Sequence, residues 1–277
     1  MKRGILTALS FISVLFAFSQ QVLDNAHLKC HYQYLWQNDT LAGKIRDDLI
    51  VLQVGNNTSK CYSYYTFKSD SLSATPEGRR AWRELLNKAF SKKDPDLSLV
   101  PHKRMKAYVY KNYPEGKMTV TDGLSLQDYI YEEKLNAQNW QFIDSTKNIL
   151  DYPCQMAVCG FRGRRWTAWF APDVPISDGP WKFGGLPGLI MEVYDRGKQY
   201  HFTIIGLQKV DDETIIFSET YVGSKKVEKT NRIDFLKAKK RYLMDMNAYI
   251  EMETGIDLSG GQPGEVMRYD LLELDYK

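Results

Sequence analysis

Four cysteines, four histidines and several adjacent acidic pairs are the residues of this chain whose types could support catalysis or metal binding. Cys30, Cys61, Cys154 and Cys159 contain no Cys-x-x-Cys spacing, which makes a structural zinc site a poor fit. His27, His31, His102 and His201 are scattered, with no pair at the spacing that places two imidazoles on one helix face. On a strand His27 and His31 share a face while Cys30 points away, so those three do not converge on one ion. Asp47-Asp48, Glu132-Glu133 and Asp211-Asp212 are neighbours that face opposite ways on a strand and read as solvated turn or edge positions. A hydrolase needs two carboxylates converging across its site. The chain has no Gly-x-Ser-x-Gly elbow, no phosphate loop ending in Lys-Ser/Thr and no His-Glu-x-x-His pair. No catalytic residue, metal or cofactor is expected from these patterns.

The stretch furthest from average composition is residues 179–190, Gly-Pro-Trp-Lys-Phe-Gly-Gly-Leu-Pro-Gly-Leu-Ile. Its four glycines and two prolines impose a series of turns, because glycine opens positive φ and proline fixes φ while removing a donor. The segment is also apolar. Gly185-Leu186-Pro187-Gly188-Leu189-Ile190 resembles the signature of the GLPGLI family, secreted proteins of Bacteroidetes whose function is unknown. The preceding Trp166-Thr167-Ala168-Trp169-Phe170 and Gly179-Pro180-Trp181-Lys182-Phe183 also resemble that family, which extends the likeness over residues 152–194. Two roles compete for the segment. Trp181, Phe183, Leu186 and Ile190 could plug one end of a sheet, with the glycines letting the backbone turn. Alternatively the amides of Gly184, Gly185 and Gly188 face a ligand, with Trp169, Trp181, Phe183, Leu186 and Pro187 around it and Lys182 as the fixed charge.

Lys2 and Arg3, an apolar run over 5–16 and small residues at 17–19 form the pattern of an export signal over residues 1–19, leaving 20–277 as one domain. No cysteine follows the apolar run directly, so lipidation is not expected. Losing Lys2 and Arg3 takes Lys+Arg from 37 to 35 against 34 acidic residues, and a net charge of +1 gives no electrostatic argument for nucleic acid or an anionic membrane. No further apolar run is long enough for a transmembrane helix. An exported chain makes disulfides plausible among Cys30, Cys61, Cys154 and Cys159. Because 154 and 159 point to opposite faces of one strand, pairing each with Cys30 or Cys61 is easier than pairing them together; free buried thiols are the alternative. Asp39-Thr40-Leu41, Asp70-Ser71-Leu72 and Asp144-Ser145-Thr146 resemble sites that Bacteroidetes O-glycosylate after export, on Thr40, Ser71 and Ser145.

The elements that must position these residues follow a period of two. Strands are expected over 28–36, 49–54, 60–66, 107–110, 118–121, 129–132, 140–142, 148–150, 154–161, 164–170, 189–194, 200–210 and 214–221. Thr75 with Pro76 starts one helix that ends near Ser91. A second begins near Thr230 or Asn231 and runs past Ile250, with Lys237, Lys239, Lys240 and Arg241 on its wetter side. Residues 255–277 read as a loop or loose tail. The fold class is therefore mainly β, a curved antiparallel sheet closed or half-open with about two covering helices. Such a concave face must pack on helices or bind something, as in the similar architecture of periplasmic lipoprotein carriers. The expected function is an exported envelope protein, periplasmic, outer-membrane-associated or extracellular, that is not an enzyme and binds an apolar or peptidic ligand or an outer-membrane protein. The alternatives are an envelope hydrolase with a site assembled from distant residues, and a precursor or scaffold without ligand.

Overall fold

The computed structural model describes residues 21–37, 43–91, 100–125, 127–218, 227–255 and 270–277. The export signal over 1–19 and Thr40 lie outside them. In chain order the elements are β1 (Gln21–Trp36), β2 (Arg46–Gly55), β3 (Ser59–Ser63), α1 (Tyr64–Ala74), α2 (Pro76–Phe90), β4 (Tyr108–Lys111), β5 (Lys117–Leu124) and β6 (Gln127–Lys134). They continue with β7 (Gln141–Ile149), β8 (Tyr152–Phe161), β9 (Arg164–Ala171), β10 (Leu189–Asp195), β11 (Tyr200–Phe217), β12 (Glu228–Lys229), α3 (Arg232–Met244) and α4 (Met246–Thr254).

All twelve strands join one sheet in the order β12-β6-β5-β4-β3-β2-β1-β11-β10-β9-β8-β7. Long β1 and β11 form its spine, paired antiparallel from Gln21–Phe217 to Trp36–Tyr200. Their register slips three times, between Val22 and Asp24, Ala26 and Leu28, and His31 and Tyr32. Such bulges increase local twist and bend the sheet. The sheet is mainly β, curved and open, as its alternating pattern predicts, but mixed: β12 runs parallel to β6. One face carries the principal core, including Tyr32, Leu52, Val120, Trp166 and Phe202, closed by Phe235 and Leu236 of α3 and by Leu271 and Tyr276. The other face carries a smaller cluster of Val51, Tyr62, Tyr108, Tyr110 and Phe217.

Several expectations are corrected. The strand over 60–66 stops at Ser63, whose Oγ accepts from Thr66 N at 3.2 Å and caps α1. The buried residues of α1 are Thr66, Ser69 and Asp70, so no apolar period marks it. The following helix begins as expected, with the Thr75 side chain accepting from Gly78 N and Pro76 in the first turn. The last helix is two helices, because Asp245 leaves helical dihedrals and its carboxylate accepts from Ala248 N at 2.9 Å to cap α4. Among the described residues four helices thus replace two. The strands over 140–142 and 148–150 merge into β7, and those over 200–210 and 214–221 into β11 up to Phe217. Residues 270–277 are not loose: Arg164 bonds the carbonyls of Leu271 and Leu272, and Leu271 and Tyr276 are buried. The acidic neighbours at 47–48 and 132–133 are not both solvated, since Asp48 and Glu133 are buried.

The expectation of disulfides is also corrected: Cys30, Cys61, Cys154 and Cys159 are free, buried thiols. Cys30 and Cys61 share the core face but sit either side of Leu52 on β2. Two strand spacings put their backbones about 10 Å apart, beyond the ~7 Å limit for a bridge. Cys159 lies on β8, four strands from β1. Cys154, five residues before it, points to the opposite face.

Candidate functional site

The segment between β9 and β10 folds back onto the core face, and buried polar groups hold it there. Lys111 at the end of β4 donates from Nζ to Asp178 Oδ1 at 2.5 Å and to the carbonyls of Gly179 and Phe183 at 2.6 Å each. Gln138 donates to Lys182 O at 2.8 Å and Trp140 Nε1 to Gly184 O at 2.9 Å. The Tyr32 hydroxyl donates to Ile190 O at 2.8 Å. Trp181 has a φ of 50°, a strained conformation for a bulky residue. It is held by an N–H bond to Cys61 Sγ and by ring contacts with Phe161, Trp166 and Phe183. Gly188 is required by proximity: a Cβ there would lie 2.3 Å from Ala171 O. Gly185 is required by its φ of 82°.

Beside Trp181 sits a charged cluster joining loop, sheet, helix and C-terminal residues. Lys182 is paired with Glu133 and, at 2.5 Å, with Glu273. Arg162 also meets Glu133 and Glu273, and Arg232 bonds Glu273 at 2.9 Å and Asp275 at 2.6 Å. Burial alone would raise the Asp275 carboxyl, but the Arg232 guanidinium outweighs it and holds the pKa below the ordinary range. Burial, with Glu273 and Glu133 adding to it, pushes the Tyr131 hydroxyl far up. Three cations facing three carboxylates leave no unbalanced charge, which suits a structural clamp better than a catalytic centre.

Next to this clamp the sheet, α3, α4 and the C-terminal residues enclose a cleft of about 490 Å³. Trp181 and Lys182 line it, as do Tyr34, Trp36 and Tyr200. Tyr34 stacks on Trp36 and Phe202 at 4.8 and 4.1 Å between centroids, which stiffens that part of the lining. Another part of the lining is the face of α3 bearing Phe235, Leu236, Lys239 and Leu243, spaced three and four residues apart. Lys239 therefore faces the cleft, bonded to Asp122 at 2.7 Å, and does not lie on the wetter side of the helix. Six Lys or Arg residues and three Asp or Glu residues line the space, so it is more basic than the chain as a whole. A mostly apolar concavity with a few polar groups is the usual form of a small-molecule site.

Of the residues singled out by sequence, Trp181 and Lys182 reach this cleft. Phe183, Gly184, Leu186 and Gly188 are buried against the core, and Gly185 and Pro187 are exposed. Gly185 N donates within the loop, to Ser177 O at 3.5 Å. Trp169, three residues from Trp166, occupies the opposite face of the sheet, where it pairs in register with Glu192 and carries Lys147 over its ring at 4.5 Å. That face also holds His201, whose Nε2 meets both Glu192 Oε1 at 2.7 Å and Thr203 Oγ1 at 3.0 Å. One ring nitrogen shared by both partners makes no proton relay. Burial alone would raise Glu192, but its bonds from His201 and Lys147 outweigh this and lower its pKa. Among the described residues no cluster of three or more His, Cys, Asp or Glu could hold a metal ion. Ser71 is exposed on α1 beside buried Asp70, and Ser145 is half-buried in β7. Sequence reasoning missed Lys111, Asp178, Glu133 and Glu273. Glu133 had a signal, because it continues the inward alternation of Tyr129 and Tyr131.

Residues 162–192 match a family model described as a protein of unknown function, Porph_ging, a Bacteroidetes-associated domain. The match covers the turn after β8, β9, the glycine loop and the start of β10. No curated protein matches the sequence. Two crystal forms of PNGF-II are similar in structure, at 13% and 11% identity and a TM-score of 0.49 each, covering 76% of this chain and 32% of theirs. The chain thus spans about a third of the length of those structures. No helix among the described residues is long and apolar enough to cross a membrane.

Proposed function

We propose that the chain is an exported, non-enzymatic binding protein of the GLPGLI type that holds a small ligand with an apolar body in the cleft beneath α3. The cleft carries this reading: about 490 Å³, with aromatic and aliphatic side chains in its lining, and bordered by the sheet and by residues of α3 and α4. Export is supported by the charge and apolar pattern of residues 1–19, and the family by the hexapeptide at 185–190 within the matched region. The glycine loop acts in this reading as a brace of the cleft and not as an amide nest, because Gly184 and Gly188 are buried against the core and Gly185 N donates within the loop.

Purification from the native envelope with bound molecules retained, followed by native mass spectrometry, tests it. A small apolar molecule bound one to one is the expected result. Leu243→Trp, which fills the cleft from the half-buried face of α3, is expected to abolish it while leaving the melting transition cooperative. Retention of the ligand by a folded Leu243→Trp variant would move the site elsewhere. Capture of an outer-membrane protein without any small molecule would overturn the carrier role.

A further inference from the structure

At one end of the cleft Lys103, Lys106 and Lys239 meet Asp70, Asp122 and Asp128. The carboxylates there are already engaged. Asp122 accepts from Lys239 Nζ at 2.7 Å through Oδ2 and from Gly123 N at 2.8 Å through Oδ1. Asp70 pairs with Lys103 and accepts from the Tyr108 hydroxyl at 2.7 Å. Lys106 is left over: half-buried in the wall, it has no ion pair and no hydrogen bond among the described residues. Its stem crosses Gly123, where a Cβ would stand 3.6 Å from Lys106 Cδ and 3.3 Å from Asp128 Oδ1. Asp122 and Asp128 act on it without an ion-pair contact, and a partly desolvated ammonium gains from an anion that touches it. Burial lowers its pKa, Lys239 and Lys103 add to that, and Asp122 and Asp128 oppose it.

On α3 the same face continues from Lys239 into apolar surface, with Phe235 and Leu236 one turn before it and Leu243 one turn after. A half-buried ammonium without a close ion pair therefore adjoins an apolar channel, whereas Arg46, also in the lining, is exposed. Its volume of about 490 Å³ lies low in the ~300–1,000 Å³ range of small-molecule sites, room for one chain. We infer that the cleft takes a single-chain amphiphile bearing a carboxylate, with its head group on Lys106 and its chain against Phe235, Leu236 and Leu243. This assignment rests on the cleft being the ligand site, as proposed above. A neutral amphiphile gives Lys106 no contacting anion, and a short anion leaves the apolar wall uncovered, so neither satisfies both halves of the site.

Calorimetric titration of the full mature chain with dodecanoate, dodecanol and acetate, in the wild type, Lys106→Met and Lys106→Arg, tests it. Dodecanoate is expected to bind about tenfold or more tightly than dodecanol, with acetate undetectable. In Lys106→Met dodecanoate should fall to the level of dodecanol while dodecanol is unchanged, and Lys106→Arg should retain the preference. Equal binding of acid and alcohol by the wild type overturns the head-group assignment but leaves the cleft as an apolar site. A preference that survives in Lys106→Met overturns the role of Lys106, and acetate binding as tightly as dodecanoate overturns the amphiphile. Binding of neither long-chain probe overturns both the inference and the reading beneath it. Thermal melts of each variant separate loss of binding from loss of fold. If Lys106→Met does not fold, loss of the preference in Lys106→Arg overturns the assignment and its retention supports it.

Discussion

The backbone N–H of Trp181 donates to the sulfur of Cys61 at 3.0 Å, tying the strained residue of the glycine loop to the third strand of the sheet. Removing the acceptor leaves a buried donor unpaired, at a cost of about 1–3 kcal/mol. Cys61→Ala is therefore expected to lower stability by that amount. Cys61→Ser keeps an acceptor and should cost less. Urea unfolding of both variants checks the order, and equal losses would show that packing volume, not the hydrogen bond, explains the cysteine.

Lys111 and Asp178 form the other brace of the loop, with side chains only 6% and 12% exposed. Lys111→Met removes three hydrogen bonds and leaves the carboxylate of Asp178 uncompensated. Breaking such a pair from one side costs about 3–5 kcal/mol. The double variant with Asp178→Asn should recover part of the loss, because it removes the stranded charge. A double variant as unstable as the sum of the two single variants would mean that Lys111 and Asp178 act independently.

The architecture was legible where one period governed a segment. Alternation in Tyr32, Tyr34 and Trp36 or in Trp166, Ala168 and Phe170 marks strands with a single buried face, and Thr75-Pro76 marks a helix start by local chemistry alone. It failed where burial is polar. Helix α1 buries Thr66, Ser69 and Asp70, and the clamp buries Lys182, Glu133 and Glu273; charged residues in sequence read as surface until a partner from another element is known. Trp181 and Lys182 stood out through their glycine-rich surroundings. Lys106 did not, because what distinguishes it is that Asp122 is taken by Lys239, more than a hundred residues away in sequence.

The four thiols offer a direct measurement of how the cysteines are used. Burial pushes the thiols of Cys61 and Cys159 up to about 12 and that of Cys154 to about 11, and Cys30 higher still. Since the thiolate is the reactive form, none should react with a thiol reagent in the native protein at pH 8, and all four should react in denaturant without reductant. Fewer than four in denaturant would mean that bridges form, which the strand positions of Cys30, Cys61, Cys154 and Cys159 oppose.

Lys60 gives the protein a stability that rises in alkali. Its Nζ donates to Ile216 O at 3.0 Å and lies 5.3 to 5.8 Å from the ring centres of Tyr62, Phe67, Tyr108 and Tyr110. Burial pushes its pKa down to about 8 from an ordinary 10.5. Between those values the unfolded chain holds the proton and the folded chain has released it, so folding improves as pH rises through the window. The shift corresponds to about 3 kcal/mol of destabilisation at neutral pH that disappears near pH 10.5. Lys60→Met lacks the titration. Tyr62 and Tyr108, whose hydroxyls burial pushes upward, remain in both proteins and largely cancel in the difference. The stability of the wild type relative to Lys60→Met, followed by urea unfolding from pH 7.5 to 10.5, is expected to climb across that range. A flat difference would place the ammonium in contact with water and remove the desolvation on which the shift depends.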